Sequence, residues 1–395
     1  MDSYDVVVVG GGISGLGLAH WAAASGRSTC LLEREGRLGG AMHSARHGED
    51  FWLELGAHTC YNSYGRLLGL LERCGLLAAL LPRARVPWRF LAEGRVQSVA
   101  TRVHWLELAL HLPRLLRLKR PGRTVADYYG RVLGPRNLAE VALPMLSAVL
   151  SQDAGPFPAD LLFKPRPRRK EIRRSFTLPG GVEAIAEALG ARGGFQARPG
   201  WDVTAVAEGP EGFTLTSAGG ETCRAGVLAL ATPPKAAAAL LPPGRARLAG
   251  LLGRIGEQRV ATLGVVVEAE DTPLPPLAGL VAPGDAFYSV VARDPVPHAR
   301  YRGFAFHFRA DVPEAQRHKR AAEVLGVPRD RWARAVGKTN VLPRLALGHA
   351  DLVAAIDREL AGGRLLLTGN YFAGPALEDC LARSAAEAER LRGMA

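Results

Sequence analysis

The hydrophobic pattern at the beginning of the chain predicts a strand, a helix and a second strand. Residues 6–9 are consecutive valines, a short apolar run that is typical of a buried strand. Residues 16–25 form an apolar helical stretch, and residues 31–33 follow as the second strand. We therefore expect residues 4–33 to form a βαβ unit.

The rest of the chain also alternates between strand-like and helical segments. Residues 202–206 and 213–216 flank a glycine-containing turn and predict a β-hairpin or meander. A helix is expected near residues 64–74, and a long amphipathic helix near residues 375–391. The remaining strand-like segments are residues 51–56, 227–231, 258–268, 286–293, 303–309 and 364–368.

The order of these elements predicts an α/β fold with two interleaved domains. One is a Rossmann-like domain assembled from residues 1–75, 175–235 and 345–395. The other is a substrate domain assembled from residues 76–174 and 236–344, with an antiparallel sheet and helices. Residues 76–174 differ in character from the flanking segments because they are rich in Leu, Arg and Pro.

Three glycines between the first strand and the first helix indicate a dinucleotide-binding site. Gly10 allows the tight turn, Gly12 lets backbone amides approach a pyrophosphate, and Gly15 lets the helix pack closely on the sheet. The phosphates would lie at the helix N-terminus, where unpaired amides and the helix dipole favour an anion. Glu33 is placed to accept hydrogen bonds from a ribose diol and would repel a 2′-phosphate. A cofactor with free ribose hydroxyls is therefore expected, rather than NADP.

Composition and the absence of long apolar runs indicate the expected compartment and argue against a metal site. Hydrophobic residues make up 48% and charged residues 22% of the chain, which is ordinary for a globular protein. The five cysteines are scattered without a CxxC spacing, so neither a disulfide framework nor a metal site is expected. The first strand begins too early to leave room for a signal peptide, and no apolar run is long enough to span a bilayer. We therefore expect a cytoplasmic protein.

Two basic segments contribute to a net charge of +12. Residues 102–120 interleave Leu and Trp with Arg and Lys, which predicts a basic amphipathic helix able to lie on an anionic membrane surface. Residues 164–174 are densely basic and could meet lipid headgroups or substrate carboxylates. A solvated helix face and an exposed loop are the alternatives to peripheral contact with the inner face of a membrane. Nucleic-acid binding is not expected, because no nucleic-acid motif is present.

The segment that follows Glu33 extends the cofactor signature. Arg37 precedes Gly39 and Gly40, where the backbone could again approach a ligand and the arginine could meet a phosphate bidentately. Together with the βαβ unit, this segment resembles the FAD-dependent family that contains flavin amine oxidases, phytoene-type desaturases and protoporphyrinogen oxidases. The resemblance implies the p-hydroxybenzoate-hydroxylase-like variant of the FAD-binding fold, with non-covalent FAD.

The C-terminal segment strengthens this resemblance. Gly369 and Asn370 follow an apolar strand, and a helix begins near Pro375. In the family, this helix directs its N-terminus at the pyrimidine edge of the flavin, where amides stabilise the negative charge of the reduced ring. The resemblance implies these cofactor-binding residues: Gly10, Gly12, Ile13, Ser14, Gly15, Glu33, Arg34, Arg37, Gly39, Gly40, Ala41, Met42, Gly56, Ala57, Val203, Ala231, Gly369, Asn370, Ala376 and Leu377.

Within the family, the final segment looks most like protoporphyrinogen oxidases, which share its Gly-Asn, Gly and Leu-x-Asp-Cys pattern. Residues 347–357 and 176–182 are similar as well, whereas the resemblance is weak over residues 80–174 and 270–340. The resemblance implies dehydrogenation of a tetrapyrrole such as protoporphyrinogen or coproporphyrinogen. Hydride would pass to flavin N5, and dioxygen or another acceptor would reoxidise the cofactor.

The sequence departs from this pattern near the expected flavin ring. Residues 56–59 read Gly-Ala-His-Thr where protoporphyrinogen oxidases commonly show Gly-Pro-Asn-Ser. A Gly-x-His at this place is similar to UDP-galactopyranose mutase. His58 is therefore the candidate catalytic residue, as a hydrogen-bond donor or proton shuttle. The alternative is a histidine that satisfies backbone groups of its own loop.

Three rival functions stay open. A desaturase or amine oxidase would share the fold, but residues 258–267 contain no lysine of the kind that many amine oxidases place near flavin N5. A mutase resembling the UDP-sugar enzyme would use reduced FAD without net redox change. A non-catalytic flavin-binding or tetrapyrrole-binding protein would bind FAD without turnover.

Overall fold

The protein is built on two large β-sheets, each of seven strands, in a computed structural model that describes residues 2–394. The strands in chain order are β1 (Asp2–Val9), β2 (Thr29–Glu33), β3 (Ser44–His47), β4 (Phe51–Glu54), β5 (Cys60–Tyr61), β6 (Leu81–Pro82), β7 (Trp88–Ala92), β8 (Arg95–Ser98), β9 (Ser175–Thr177), β10 (Gln196–Pro199), β11 (Val203–Gly209), β12 (Gly212–Ser217), β13 (Thr222–Leu230), β14 (Gly256–Glu268), β15 (Gly279–Val281), β16 (Phe287–Ala292), β17 (Tyr301–Arg309), β18 (Arg334–Arg344) and β19 (Leu365–Leu367).

Helices cover the sheets and connect their strands. They are α1 (Ile13–Ala24), α2 (Gly65–Arg73), α3 (Trp105–His111), α4 (Val125–Leu133), α5 (Pro135–Asn137), α6 (Leu143–Leu150), α7 (Glu183–Arg192), α8 (Pro234–Leu240), α9 (Ala246–Gly253), α10 (Glu314–Leu325), α11 (His349–Leu360) and α12 (Leu377–Arg392).

The first sheet has the strand order β10-β2-β1-β13-β12-β11. Strands β10, β2, β1 and β13 run parallel, whereas β12 and β11 form the predicted hairpin. Strand β19 pairs in parallel with residues 228–230 of β13. It lies on the same edge where residues 222–225 of β13 pair with β12. Both faces of β1 are buried, because Val6 and Val8 join one apolar cluster and Val7 and Val9 join the other. The predicted βαβ unit and α/β fold are confirmed.

The second sheet has the order β18-β14-β17-β16-β15-β7-β8. Its neighbouring strands are antiparallel, except that β7 pairs in parallel with β15. Strands β7 and β8 come from residues 88–98, far from the other strands in sequence. The predicted antiparallel sheet is therefore present and also contains one parallel pair. Its strands come from the two segments assigned to the substrate domain, whose boundaries stay a prediction.

A small apolar cluster joins the two-stranded β3–β4 pair to the second sheet. Leu53 and Leu55, in and just after β4, pack with Val266 and Ala305 of the second sheet. Gly264 is needed at this contact, because a Cβ there would lie 2.6 Å from Cδ2 of Leu55. Residues 51–55 therefore pack closely against the second sheet.

The predicted basic helix over residues 102–120 is wrong as a single element. Helix α3 ends at His111, and a 3₁₀ turn follows at Leu112–Leu116. Pro113 has no N–H to donate, so the α-helical hydrogen bonding cannot continue through it. The segment still exposes large apolar side chains: Trp105, Leu106, Leu110, Leu112, Leu115 and Leu116.

Candidate cofactor and catalytic site

Close packing explains two of the three glycines in the first turn. A Cβ on Gly10 would lie 2.8 Å from the carbonyl oxygen of Ala231, and one on Gly15 would lie 1.9 Å from that of Gly10. A Cβ on Gly12 would meet nothing within 4 Å. Gly10 and Gly15 are therefore required by contacts within the protein, whereas Gly12 borders open space where a ligand could approach.

The N-terminus of α1 offers backbone donors beside that space. Gly12 occupies the cap position and provides no side-chain acceptor, so the first amides of the helix, including those of Ile13 and Ser14, are available to an anion. Both residues are buried. A pyrophosphate held at this turn would therefore meet backbone N–H groups in a site with little water.

Glu33 is fixed at the end of β2 by two backbone amides. Its Oε2 accepts from the amide of Gly11 at 2.6 Å, and its Oε1 accepts from the amide of Glu35 at 2.8 Å. Each carboxylate oxygen keeps a further acceptor site. The carboxylate is thus oriented beside the turn as a ribose-binding acid requires.

Two loops pack on the glycine turn. The amide of Gly39 donates to the carbonyl of Gly11 at 2.8 Å, and the amide of Ala57 donates to that of Ala41 at 2.9 Å. A Cβ on Gly56 would lie 2.1 Å from the carbonyl oxygen of Ala41. The predicted residues Gly39, Gly40, Ala41, Gly56 and Ala57 are therefore assembled around the turn.

Arg37, the predicted phosphate ligand, contacts its own loop and two carboxylates. Its guanidinium donates to the carbonyls of Leu38, Gly40 and Met42 and pairs with Glu183 and Glu35, both at 3.1 Å. Arg37 therefore holds the loop that carries Gly39 and Gly40 in shape. Its role as a phosphate ligand stays a prediction.

The C-terminal residues Gly369, Asn370, Ala376 and Leu377 lie between β19 and the first turn of α12. A Cβ on Gly369 would lie 2.5 Å from the ring of Tyr371. The first-turn acids of α12 hold neighbouring segments: the Glu378 carboxylate accepts from the amides of Arg66 and Leu67, and Asp379 pairs with Arg166 at 2.6 Å.

The remaining predicted cofactor residues occupy varied environments. Arg34 is exposed beside Glu33, and Met42 is buried under the glycine loop. Ala231 donates its amide to the carbonyl of Val9 at 2.8 Å, which places it directly beside the turn. Val203 is buried at the start of β11. It follows Trp201, whose amide donates to the carbonyl of Glu33 at 2.8 Å.

A chain of polar side chains crosses the second sheet opposite these loops. His58 Nε2 lies 2.8 Å from His307 Nε2, and His307 Nδ1 lies 3.0 Å from the hydroxyl of Thr262. The side-chain amide of Asn340 donates to that hydroxyl at 3.1 Å and to the carbonyl of Leu55 at 2.8 Å. His58 thus does not satisfy its own loop, as the alternative expectation had it, but joins a chain of groups from four separate segments.

The direction of hydrogen bonding along this chain can be assigned from its ends. The Leu55 carbonyl can only accept, so the amide nitrogen of Asn340 faces both Leu55 and Thr262. Among the described residues, His307 Nδ1 is then the acceptor within reach of the Thr262 proton. Neutral His307 therefore carries its proton on Nε2 and donates to His58, which leaves the His58 proton on Nδ1.

Both imidazoles are neutral at physiological pH. Burial lowers the pKa of His307 to about 4. Burial, reinforced by the neighbouring His307 and by Arg83, holds the pKa of His58 well below its ordinary value. The pair can therefore donate or accept a hydrogen bond, but it does not store a proton at pH 7.

Lys338 is a site residue that the sequence analysis missed. It lies on β18 directly opposite Thr262, in the same row across the sheet as His307. Its ammonium donates to the carbonyl of Gly40 at 2.5 Å. No local motif marks this lysine, because its position depends on the pairing of β14 with β18. The strand pattern of residues 334–344 was the only signal available.

A second group of polar side chains surrounds His58 on its other side. Glu54, Arg83 and Arg293 line a small concavity with His58 and Trp52, with a volume of about 10 Å³. Burial raises the pKa of Glu54 to about 7 and lowers that of Arg293 to about 10. The Nε of Arg293 is buried without a hydrogen-bond partner among the described residues. The guanidinium donates to the carbonyl of Val296 at 2.6 Å but forms no ion pair among the described residues. An arginine without a carboxylate partner, beside a carboxyl that can be neutral at pH 7, favours an acidic ligand group here.

Searches for two other kinds of site found none in residues 2–394. These residues contain no cluster of His, Cys, Asp and Glu that could hold a metal ion. They also contain no helix with the length and apolar character needed to cross a bilayer.

Comparison with known proteins relates the chain to a group of flavin-containing proteins. Residues 8–74 match the model of the NAD(P)-binding Rossmann-like domain. A 75-residue stretch is 35% identical to a flavin-containing amine oxidase of Danio rerio; it covers 19% of this chain and 14% of that protein.

Solved structures match the whole chain. A provisionally assigned protoporphyrinogen oxidase from Exiguobacterium sp. 255-15 has a TM-score of 0.81 at 19% identity, covering 100% of this chain and 99% of that one. Reduced UDP-galactopyranose mutase has a TM-score of 0.76 at 14% identity, covering 100% and 95%.

These matches confirm the fold and the resemblance to the FAD-dependent amine oxidase and protoporphyrinogen oxidase proteins. The sequence match to the curated amine oxidase spans only 14% of its length, and the structural matches have low identity. Activity and substrate must therefore be argued from the site.

Proposed function

We propose that the chain is an FAD-dependent oxidoreductase that dehydrogenates a tetrapyrrole such as protoporphyrinogen or coproporphyrinogen. The observation that carries the proposal is the polar row of His307, Thr262 and Lys338 on the second sheet, which meets His58 and Gly40 from the loops around the glycine turn. Leu53 and Leu55 also contact the second sheet, through apolar packing with Val266 and Ala305. A polar group sequestered between a dinucleotide-binding domain and a second domain is typical of an active site.

The chain provides groups suited to each part of the cofactor. The amides at the start of α1 would hold the pyrophosphate, and Glu33 would accept from the adenosine ribose. The N-terminus of α12, with Gly369 and Asn370, would meet the ring. When bound, the flavin supplies the capacity to accept a hydride from the substrate.

His58 would position the reacting groups as a neutral hydrogen-bond donor. Its Nε2 is occupied by His307, so its Nδ1–H is the group left to face a ligand. Because the pKa of His58 is held well below its ordinary value, activity should not depend on its protonation near pH 7. A role of His58 as a general acid that is already protonated at pH 7 is thereby disfavoured.

The buried arginines support a substrate that carries carboxylates. Arg83 and Arg293 are both largely buried, and burial lowers the pKa of each. A propionate beside them would be paired and desolvated, a combination that favours tight charge-assisted hydrogen bonding.

Anaerobic mixing of the flavin-loaded protein with protoporphyrinogen or coproporphyrinogen tests the proposal. Flavin absorbance and porphyrin fluorescence should be followed together, and bleaching with stoichiometric porphyrin formation is expected. A protein that binds FAD but stays unbleached with both substrates would contradict the tetrapyrrole assignment. It would then be tested with amines, unsaturated lipids and carotenoid precursors for the related oxidase or desaturase activities. The absence of bleaching with every substrate would favour a flavin-binding role without turnover.

A mutase resembling the UDP-sugar enzyme is the second candidate. It is favoured by the Gly56-x-His58 sequence and the fold shared with UDP-galactopyranose mutase. The dithionite-reduced protein should then interconvert UDP-galactopyranose and its furanose form, which chromatography would detect. No interconversion by the reduced, FAD-loaded protein would exclude this candidate.

The apolar side chains of residues 105–116 support attachment to an anionic lipid surface. Leu106 is 81% and Leu116 is 90% exposed, and the exposed residues Arg117 and Lys119 follow. Leucines flanked by cations match an interfacial membrane contact. In the other basic segment, Lys164 and Arg166 are already near or paired with Asp379, so fewer of its charges are available.

Sedimentation with vesicles tests this contact. The parent protein should bind vesicles containing phosphatidylglycerol and bind phosphatidylcholine vesicles less well. Leu106→Ser/Leu116→Ser and Arg117→Glu/Lys119→Glu should each lose most of the binding. Leu347→Ser, at an exposed leucine outside the patch, is the matched control. Absence of parent binding, or concentration-dependent dimer formation through the patch, would contradict the membrane proposal.

A further inference from the structure

Lys338 is a partly buried cation without an acid partner. No carboxylate among the described residues forms an ion pair with it, and its hydrogen-bond acceptor is the neutral carbonyl of Gly40, at 2.5 Å. Buried charges in folded proteins are usually paired, because removing an ammonium from water is costly. The absence of an acid partner suggests that the ammonium is kept for an anion.

The location of Lys338 indicates which anion that would be. The carbonyl it binds belongs to Gly40, whose Cβ position lies only 3.2 Å from the Cα of Gly12. Gly12 in turn borders the open space at the N-terminus of α1. The ammonium therefore reaches from the second sheet to the loop that packs on the phosphate-binding turn.

The charged groups around Lys338 do not neutralise it. Arg37 lies nearby and is already paired with Glu35 and Glu183. Glu33 also contributes to the local field, but its carboxylate is held by the amides of Gly11 and Glu35. His43 faces the same cluster, and burial and the neighbouring cations lower its pKa to about 4, so it is neutral at pH 7.

We propose that Lys338 is a positioning residue whose ammonium stabilises the negative charge of the bound dinucleotide. The proposal rests on the FAD assignment made above and adds a residue contributed by the other domain. It makes cofactor binding depend on the second sheet being correctly docked, because β18 delivers the charge. Arg37, the other cation near this loop, donates to the same Gly40 carbonyl and pairs with Glu183.

The dissociation constant for FAD, measured by quenching of flavin fluorescence on the apoprotein, is the first test. Lys338→Met should weaken binding about tenfold or more, since a charge-assisted hydrogen bond to a buried anion would be lost. Lys338→Arg retains the charge and should bind within a few-fold of the parent. Lys319→Met removes an exposed lysine on α10 and should change nothing.

The pH dependence of FAD affinity distinguishes the proposed role of Lys338 from a purely structural one. Burial, followed by repulsion from Arg37, lowers the pKa of Lys338 to about 8. The ammonium is present below that pH, so FAD affinity should fall as the pH rises from 7 to 9. This fall should be absent in Lys338→Met and weak in Lys338→Arg.

Two further measurements distinguish the part of the cofactor that is served. A parallel loss of ADP affinity in Lys338→Met assigns the ammonium to the pyrophosphate. A lower flavin midpoint potential with unchanged ADP affinity assigns it to the reduced ring. Lys338→Met that matches the parent in FAD affinity, pH profile and potential overturns the proposal. A parent that binds no FAD at all would instead overturn the assigned function.

Discussion

The two halves of the candidate site differ in how the chain encodes them. The dinucleotide-binding turn lies within residues 10–15 and is fixed by contacts between near neighbours, such as the close approach of Gly15 to Gly10. The polar row takes one residue each from β14, β17 and β18, and it meets His58 from a fourth segment. A mutation in the turn acts on a local structure, whereas a mutation in the row acts on the docking of two sheets.

The sharpest difference should come from the glycines of the turn. Gly15→Ala places a methyl group 1.9 Å from the Gly10 carbonyl oxygen, where no flexible side chain can yield. We expect the free energy of unfolding to fall by about 3 kcal/mol or more, as measured by denaturant titration of the apoprotein.

Gly12→Ala is the matched variant, because its methyl group would meet no protein atom within 4 Å. It should unfold like the parent but lose FAD affinity, since the methyl group enters the space left for the cofactor. Equal loss of stability in the two variants would break the distinction between packing and ligand-binding glycines.

Glu54, which lines the concavity beside His58, should give the next largest effect. Burial raises its pKa to about 7 in the folded protein, above the ordinary value of 4.5. Between these values the folded state binds more protons than the unfolded state, so stability falls as the pH rises. The total fall is about 3 kcal/mol.

Glu54→Gln should remove this fall, because an amide does not titrate. Its oxygen can still accept from the amide of Val182, as the carboxyl does at 3.0 Å. Unfolding free energies measured from pH 4.5 to 7.5 in parent and variant test the prediction. A parent whose stability is flat over this range would show that Glu54 is ionised in the folded protein.

The smallest effect is expected in the polar row. Thr262→Val keeps the shape of the side chain but leaves His307 Nδ1 without its donor and one hydrogen of Asn340 without its acceptor. We expect a loss of about 1–2 kcal/mol in unfolding free energy. The tautomer of His307, read from ¹⁵N chemical shifts, should also become mixed. Thr204→Val, on the exposed face of β11, is the control.

The sequence predicted the turn better than the row for a physical reason. The strand–glycine–helix–strand order is a local pattern, so the fold, Gly10, Gly12, Gly15 and Glu33 followed directly from it. Lys338 and His307 become neighbours of Thr262 only through the register of three strands. Single-sequence reasoning has no access to that register.

The predicted helix over residues 102–120 fails for a local reason. Leu and Trp alternate with Arg and Lys along the whole segment, but Pro113 has no N–H to donate, so α3 ends at His111. The contacts of Arg37 depend instead on long-range packing, because Glu183, which pairs with its guanidinium, lies on α7.

The shared edge of β13 has a consequence for synthesis of the protein. Residues 222–225 of this edge pair with β12 soon after they are made, but residues 228–230 must wait for β19. At roughly 5–20 residues per second, the interval is on the order of ten seconds. During that time the nascent chain presents an unpaired strand end beside its cofactor turn, where β19 competes with any other extended segment. The ribosome must therefore deliver residues 365–367 before the cofactor-binding sheet can be complete.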